Sequence, residues 1–183
     1  EARSIAASRT DSKVHAQGQV LKILTTSKLD CNLLKERLNF NLPPSIKVIS
    51  CLLSDNKFNP NRDTKSKEYH YLFSEAKVEN PILNQSVFYI KRNLDIKEMR
   101  KVCDYLIGVH DFKNFHVPGS RTPQTTREIF ECAIEERLFL NEKNPYYIFK
   151  IRGSGFLKYM VRILMNYIFQ IGLNEITIEE FKN

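Results

Sequence analysis

A chain of 183 residues that is 42% hydrophobic can form a packed core, in one domain or two small ones. Its net charge of +7, from 28 basic and 21 acidic residues, favours an anionic partner such as nucleic acid, phosphate or an acidic membrane surface. Cys31, Cys51, Cys103 and Cys132 form no CxxC pair, and His15, His70, His110 and His116 lack metal-ligand spacing. This argues against structural zinc and redox motifs and for a reduced, cytoplasmic setting without a bound metal.

The N-terminal "EARSIAASRTD" has no apolar signal region. "GQVLKILTT" suits a strand, and "DCNLLKERLNF" a short helix capped by Asp30 with Leu33, Leu34 and Leu38 on one face. After the Pro43-Pro44 break, "IKVISCLL" is a strand candidate, followed by a polar loop, "SDNKFNPNRDTKSK". "EYHYLFS" and "SVFYIK" are strands. "LDIKEMRKVCDYLIG" is an amphipathic helix capped by Asp95 and ended by Gly108, with Ile96, Met99, Cys103 and Leu106 on one face.

"VHDFKNFHVPGSRTPQ" is a loop. "TTREIFECAIEERLFL" and "PYYIFKIRG" are long antiparallel strands joined by the turn "NEKN". A helix over about residues 155–171 is apolar almost all round. Lys158, Arg162, Asn166 and Gln170 interrupt it, so it reads as a buried helix and not a membrane span. "TIEEFKN" begins another helix, with Thr177 and Glu180 at capping-box spacing. The fold class is α+β, with a mainly antiparallel mixed sheet flanked by helices. Both ends look abrupt, so residues 1–183 are expected to be one core from a longer protein.

The densest polar chemistry lies in "ASRTDSKVHAQGQV". Arg9-Thr10-Asp11 sets a carboxylate beside a guanidinium in a turn, which an ordinary Asx turn also does. A reacting carboxylate must stay ionised, and a cationic partner favours that form. Arg162, in "FLKYMVRILMN", has apolar neighbours and is expected to be buried, where it needs an acid such as Asp11. Tyr69 and Tyr71 share a strand face, as core or as a stacking platform. Phe112 and Phe115 flank Lys113 in a loop, a composition that fits contact with unpaired RNA.

Together these segments resemble the TruA-type tRNA pseudouridine synthases. "SRTDSKVHAQGQV" is similar to the family loop G-R-T-D-A-G-V-H-A-x-G-Q-V. "LNFNLPPSIKV", "FNPNRDTKSKEYHYLF", "DFKNFHVPGS" followed by "TTREI", and "GSGFLKYMVRILMN" resemble later family blocks in order, spanning about residues 8–172. The resemblance implies the pseudouridine synthase fold, here without the family's N-terminal Y-D-G-x-x-F-x-G-W-Q and C-terminal G-L-x-L segments.

It also implies isomerisation of uridine to pseudouridine in the tRNA anticodon arm, with no cofactor and in a homodimer. Asp11 would be the nucleophile and Arg162 its counter-charge. Tyr69 would pack on the target base, and Arg9 would hold the flipped nucleotide. Arg62, Tyr71, Lys13 and Phe112 are further substrate-binding candidates. Phosphate contacts are expected from Lys65, Lys67 and the run Lys91, Arg92, Lys97, Arg100, Lys101. Two departures, Ser8 before the Arg and Ser12-Lys13 in place of Ala-Gly, leave the reacting groups but press on the loop's backbone. The competing readings are a tRNA-binding module without catalysis and an inert folded fragment whose active site needs the missing segments.

Overall fold

The structure, a computed structural model, describes residues 2–115, 124–140 and 144–182. It divides into two compact units, Glu1–Thr64 and Lys65–Asn183.

In the first unit, β1 (Ala2–Ala6) and β2 (Leu21–Thr25) pair antiparallel, Ala2 opposite Thr25 and Ala6 opposite Leu21. The loop of residues 7–20 joins them, closed at its base by the Ala7 amide on the Val20 carbonyl. Lys22 is buried, and its ammonium donates to the carbonyls of Asn56 (2.7 Å) and Phe58 (2.8 Å), which gives two of its three donors partners away from water. The helix α1 (Cys31–Asn41) starts where expected, with Asp30 accepting from the Asn32 and Leu33 amides.

One expectation fails here, and one strand was not foreseen. Residues 46–53 form no strand, and Ile49, Leu52 and Leu53 are exposed. Among the described residues this apolar, β-branched segment has no strand to pair with, and an unpaired segment gains no ladder. Conversely, β1 went unread because "ARSIA" is short and weakly patterned and becomes a strand only through β2.

The second unit is a five-stranded mixed sheet in the order β4-β3-β7-β6-β5. The strands are β3 (Lys67–Ser74), β4 (Val87–Tyr89), β5 (Gly108–Asp111), β6 (Thr126–Arg137) and β7 (Tyr146–Gly153). Only β3 and β4 run parallel. Lys67 therefore lies in a strand and not in the preceding loop. Residues 108–111, expected as a helix end and loop, pair with β6. The expected turn residues 141–143 and the loop residues 116–123 lie outside the described residues.

Side chains alternate across a strand, so Phe73, Tyr147, Phe149 and Ile151 fall on one face. All four are buried, together with α2 (Ile96–Leu106) and α3 (Met160–Gly172). From α2 come Met99, Val102, Cys103 and Leu106; from α3 come Leu164, Met165, Ile168 and Phe169. Where the helices cross, the Asp95 amide donates to the Gly172 carbonyl (2.7 Å). A Cβ on Gly172 would stand 2.6 Å from Met99 Sδ, so any larger residue there would have to displace the buried Met99 side chain. The other face of the sheet is charged, with Lys150 on Glu135 (2.7 Å) and Arg152 on Glu131. The last helix, α4 (Ile178–Lys182), begins with the expected capping box: Glu180 Oε2 accepts from the Thr177 amide (2.7 Å), and Thr177 Oγ1 from the Glu180 amide (3.2 Å).

Residues 155–159, expected in the final helix, precede it, and α3 starts after Tyr159 in a left-handed conformation (φ 63°). Among the described residues, no helix is long and apolar enough to cross a membrane.

Candidate active site

The sequence-predicted residues fall into two groups, one in each unit. In the first unit, Arg9, Asp11 and Lys13 are all exposed on the loop between β1 and β2. A paired-strand base holds this loop, and Gln19 reinforces it by donating to the Ser8 carbonyl (2.7 Å). Asp11 opens a turn whose carbonyl accepts from the Val14 amide (3.1 Å). The turn's third residue is Lys13, at φ 66°. The family glycine is therefore replaced by a lysine that adopts the left-handed conformation the glycine eases, at a cost of about 1–2 kcal/mol. Arg62 is 67% exposed, with its guanidinium on the Asp63 carboxylate (2.7 Å) and the Lys57 carbonyl (2.9 Å).

In the second unit, Tyr69 and Tyr71 sit on the helix-covered face of β3, half-buried at the rim of the core. The Tyr69 ring meets Phe156 edge-on at 5.0 Å, and Tyr71 packs on Phe88 and Phe169. Burial raises the pKa of the Tyr71 hydroxyl above its ordinary value, while the positive charge of Arg162 acts in the opposite direction. Arg162 lies over the Tyr159 ring at 5.4 Å, and Lys158 over the same ring at 5.1 Å.

Arg162 is exposed and not buried as expected. The helix buries Met160, Leu164, Met165 and Ile168, and leaves Arg162 and Asn166, four residues apart, on its open side. So α3 has a polar stripe that its apolar composition concealed.

Phe112 is corrected as well. It is 2% exposed in the core cluster, with its ring against His110 and Phe115, so it has no free face for a base. Phe115 likewise joins an aromatic group with Tyr167 and Phe181. The basic run after residue 90 is partly neutralised. Lys91 pairs with Glu79, Arg92 with Glu175 and Lys101 with Glu98, while Arg100 donates to the Ile134 carbonyl.

Sequence reasoning passed over Phe156 and Tyr159. Both stood in the quoted final block, and Tyr159 is three residues before Arg162, a spacing that signals contact at a helix start. It also grouped Lys67 with loop charges. On β3, Lys67 falls on the same strand face as Tyr69 and Tyr71, and burial lowers its ammonium's pKa. The second unit thus presents aromatic rings and cations together, an arrangement suited to stacking a base and receiving negative charge. Among the described residues, no group of three or more His, Cys, Asp or Glu side chains could hold a metal ion.

A sequence model of the tRNA pseudouridine synthase family matches residues 102–183. Over 178 residues the chain is 35% identical to tRNA pseudouridine synthase A 2 of Desulfotalea psychrophila, covering 95% of this chain and 67% of the relative. It is 38% identical over 178 residues to tRNA pseudouridine synthase A of Clostridium kluyveri, covering 97% and 70%. The enzyme of that name from a Thermoanaerobacter species is 35% identical over 181 residues, covering 98% and 71%. These matches, with the α+β sheet described above, place the chain among the pseudouridine synthases, which are isomerases. Within them, it belongs to the tRNA pseudouridine synthase family.

Proposed function

We propose that this chain carries the catalytic machinery for converting uridine to pseudouridine in the anticodon arm of tRNA, with Asp11 as nucleophile and no cofactor. The Asp11 carboxylate attacks either ribose C1′ or uracil C6. The glycosidic C–N bond breaks, the uracil turns, C5 bonds to C1′, and the Asp11 carboxylate leaves as its own bond to C1′ or C6 breaks. The C5 proton leaves and N1 regains one, so the product is an isomer and no oxidant or reductant is needed. An ionised carboxylate suits the nucleophile's role.

The observation that carries this reading is the cluster of Tyr69, Phe156, Tyr71, Tyr159 and Arg162. Rings at the rim of a core give an extruded base a stacking surface worth roughly 1–3 kcal/mol per base, which offsets the few kcal/mol that unstacking costs. In this scheme, Tyr69 packs on the target uracil, Arg162 supplies positive charge for the reacting anion, and Arg9 holds the flipped nucleotide. Tyr71, Lys13 and Arg62 contact the substrate. The Tyr71 hydroxyl stays protonated at neutral pH and can donate a hydrogen bond. Lys67 adds a cation on the face that carries Tyr69. The resemblance further implies a cytoplasmic homodimer, and the exposed Ile49, Leu52 and Leu53 offer an apolar surface for such a contact, which light scattering would read.

Tritium release from tRNA labelled at uracil C5 tests the chemistry. Wild-type chain should release label, and Asp11→Asn should abolish release while still binding tRNA. Continued release from Asp11→Asn would remove Asp11 from the mechanism. Binding without release by the wild-type chain would make it a tRNA-binding module.

A further inference from the structure

The four cysteines, distant in sequence, form two thiol–thiol contacts: Cys31 with Cys51, and Cys103 with Cys132. The second pair is buried between α2 and β6. The first differs in both setting and access. Cys31 is the first residue of α1, Cys51 lies in the irregular segment after Pro44, and both are partly exposed.

Their approach is fixed by more than the sulfurs. Asn39 donates to the Val48 carbonyl (3.0 Å) and accepts from the Val48 amide (2.7 Å). This pins the segment to α1 near the helix's C-terminal end. From Asn39 back to Cys31 is about 12 Å of helix at 1.5 Å per residue. From Val48 to Cys51 is about 10 Å of extended chain. The segment therefore runs back along the helix and delivers Cys51 to Cys31. Lys35, one helical turn past Cys31, places a cation near Cys51.

We infer that Cys31 and Cys51 form an oxidisable dithiol, closed to an intramolecular disulfide by exchange with a low-molecular-weight disulfide of the glutathione class. One thiolate attacks the small disulfide, giving a mixed disulfide and releasing one small thiol. The second protein thiolate attacks the protein sulfur, forms the Cys31–Cys51 bond and releases the other small thiol. The two protein thiols lose two electrons and two protons, and the small disulfide gains both. Residues 45–55 belong to no helix or strand, so the backbone can close the remaining gap to a bond of about 2.0 Å. Burial pushes the Cys51 thiol up, while the charge of Lys35 acts the other way. The Cys132 thiol is pushed well up by its hydrogen bond to Cys103 and by burial, so that pair resists exchange.

The test is peptide mapping of the native chain after incubation with oxidised glutathione and alkylation of the remaining thiols. The expected result is loss of two of the four thiols, a linked peptide pair containing Cys31 and Cys51, and alkylated Cys103 and Cys132. In Cys51→Ser, Cys31 should retain one glutathione and form no internal link. The inference is overturned if wild-type Cys31 and Cys51 each retain glutathione, or link between chains. It also fails if Cys103–Cys132 oxidises first, or if no thiol is lost under conditions that oxidise a free cysteine peptide.

Discussion

Replacing Phe149 by alanine should cost about 4 kcal/mol of stability. Phe149 is fully buried on β7, the central strand, in register with Tyr71 on one side and Ile134 on the other. A buried aromatic ring removes roughly 150–250 Å² from water, or about 4–6 kcal/mol at 25 cal/mol per Å² as an upper figure. The alanine methyl retains part of that, and packing around the site closes some of the cavity. Against a domain stability of about 5–15 kcal/mol, the variant should fold with a thin margin. The assay is urea unfolding followed by tyrosine fluorescence. The chain has no Trp, and all eight tyrosines lie in the second unit, so the signal reports on that unit, its sheet and helices together. Phe130→Ala is the control. Phe130 is half-buried beside the Arg152 guanidinium at 5.5 Å, and its loss should cost about 1 kcal/mol. Equal losses for the two variants, or less than about 1.5 kcal/mol for Phe149→Ala, would refute the enclosure of this ring.

Three further outcomes are expected. Burial raises the Tyr71 pKa, so the folded chain holds this proton more tightly than the unfolded chain. The resulting stability is present below the ordinary tyrosine pKa of about 10 and is lost as pH rises through the folded value. Urea midpoints compared at neutral and alkaline pH should show a shallower alkaline loss in Tyr71→Phe and a steeper one in Arg162→Gln. Part of the slope should remain in Tyr71→Phe, because burial raises Tyr147 in the same direction. Gly153→Ala should destabilise the sheet by about 1–3 kcal/mol in urea, because the new Cβ would stand 2.7 Å from the Glu128 carbonyl oxygen. Lys13→Gly should leave stability unchanged or raise it by about 1 kcal/mol, since glycine relieves the left-handed strain but frees the unfolded chain. If Lys13 contacts a phosphate, the same variant should raise KM for tRNA with little change in kcat.

What short-range physics controls was legible in the amino-acid order. Asp30, Asp95 and the Thr177–Glu180 pair mark helix starts because a cap is a contact within a few residues. Alternation along β3, β6 and β7 identifies strands because side-chain direction repeats every two residues. The ordered motifs were sufficient to single out the family and to nominate Arg9, Asp11, Tyr69 and Arg162. What depends on a distant partner emerged with the fold. Residues 2–6 and 108–111 are strands because β2 and β6 lie beside them, and "IKVISCLL" is not one because, among the described residues, no strand pairs with it. Phe112 and Arg162 exchanged places, the loop aromatic moving into the core and the helix arginine onto the surface. Burial is set by what packs against a residue from elsewhere in the chain, and neither composition nor spacing contains that.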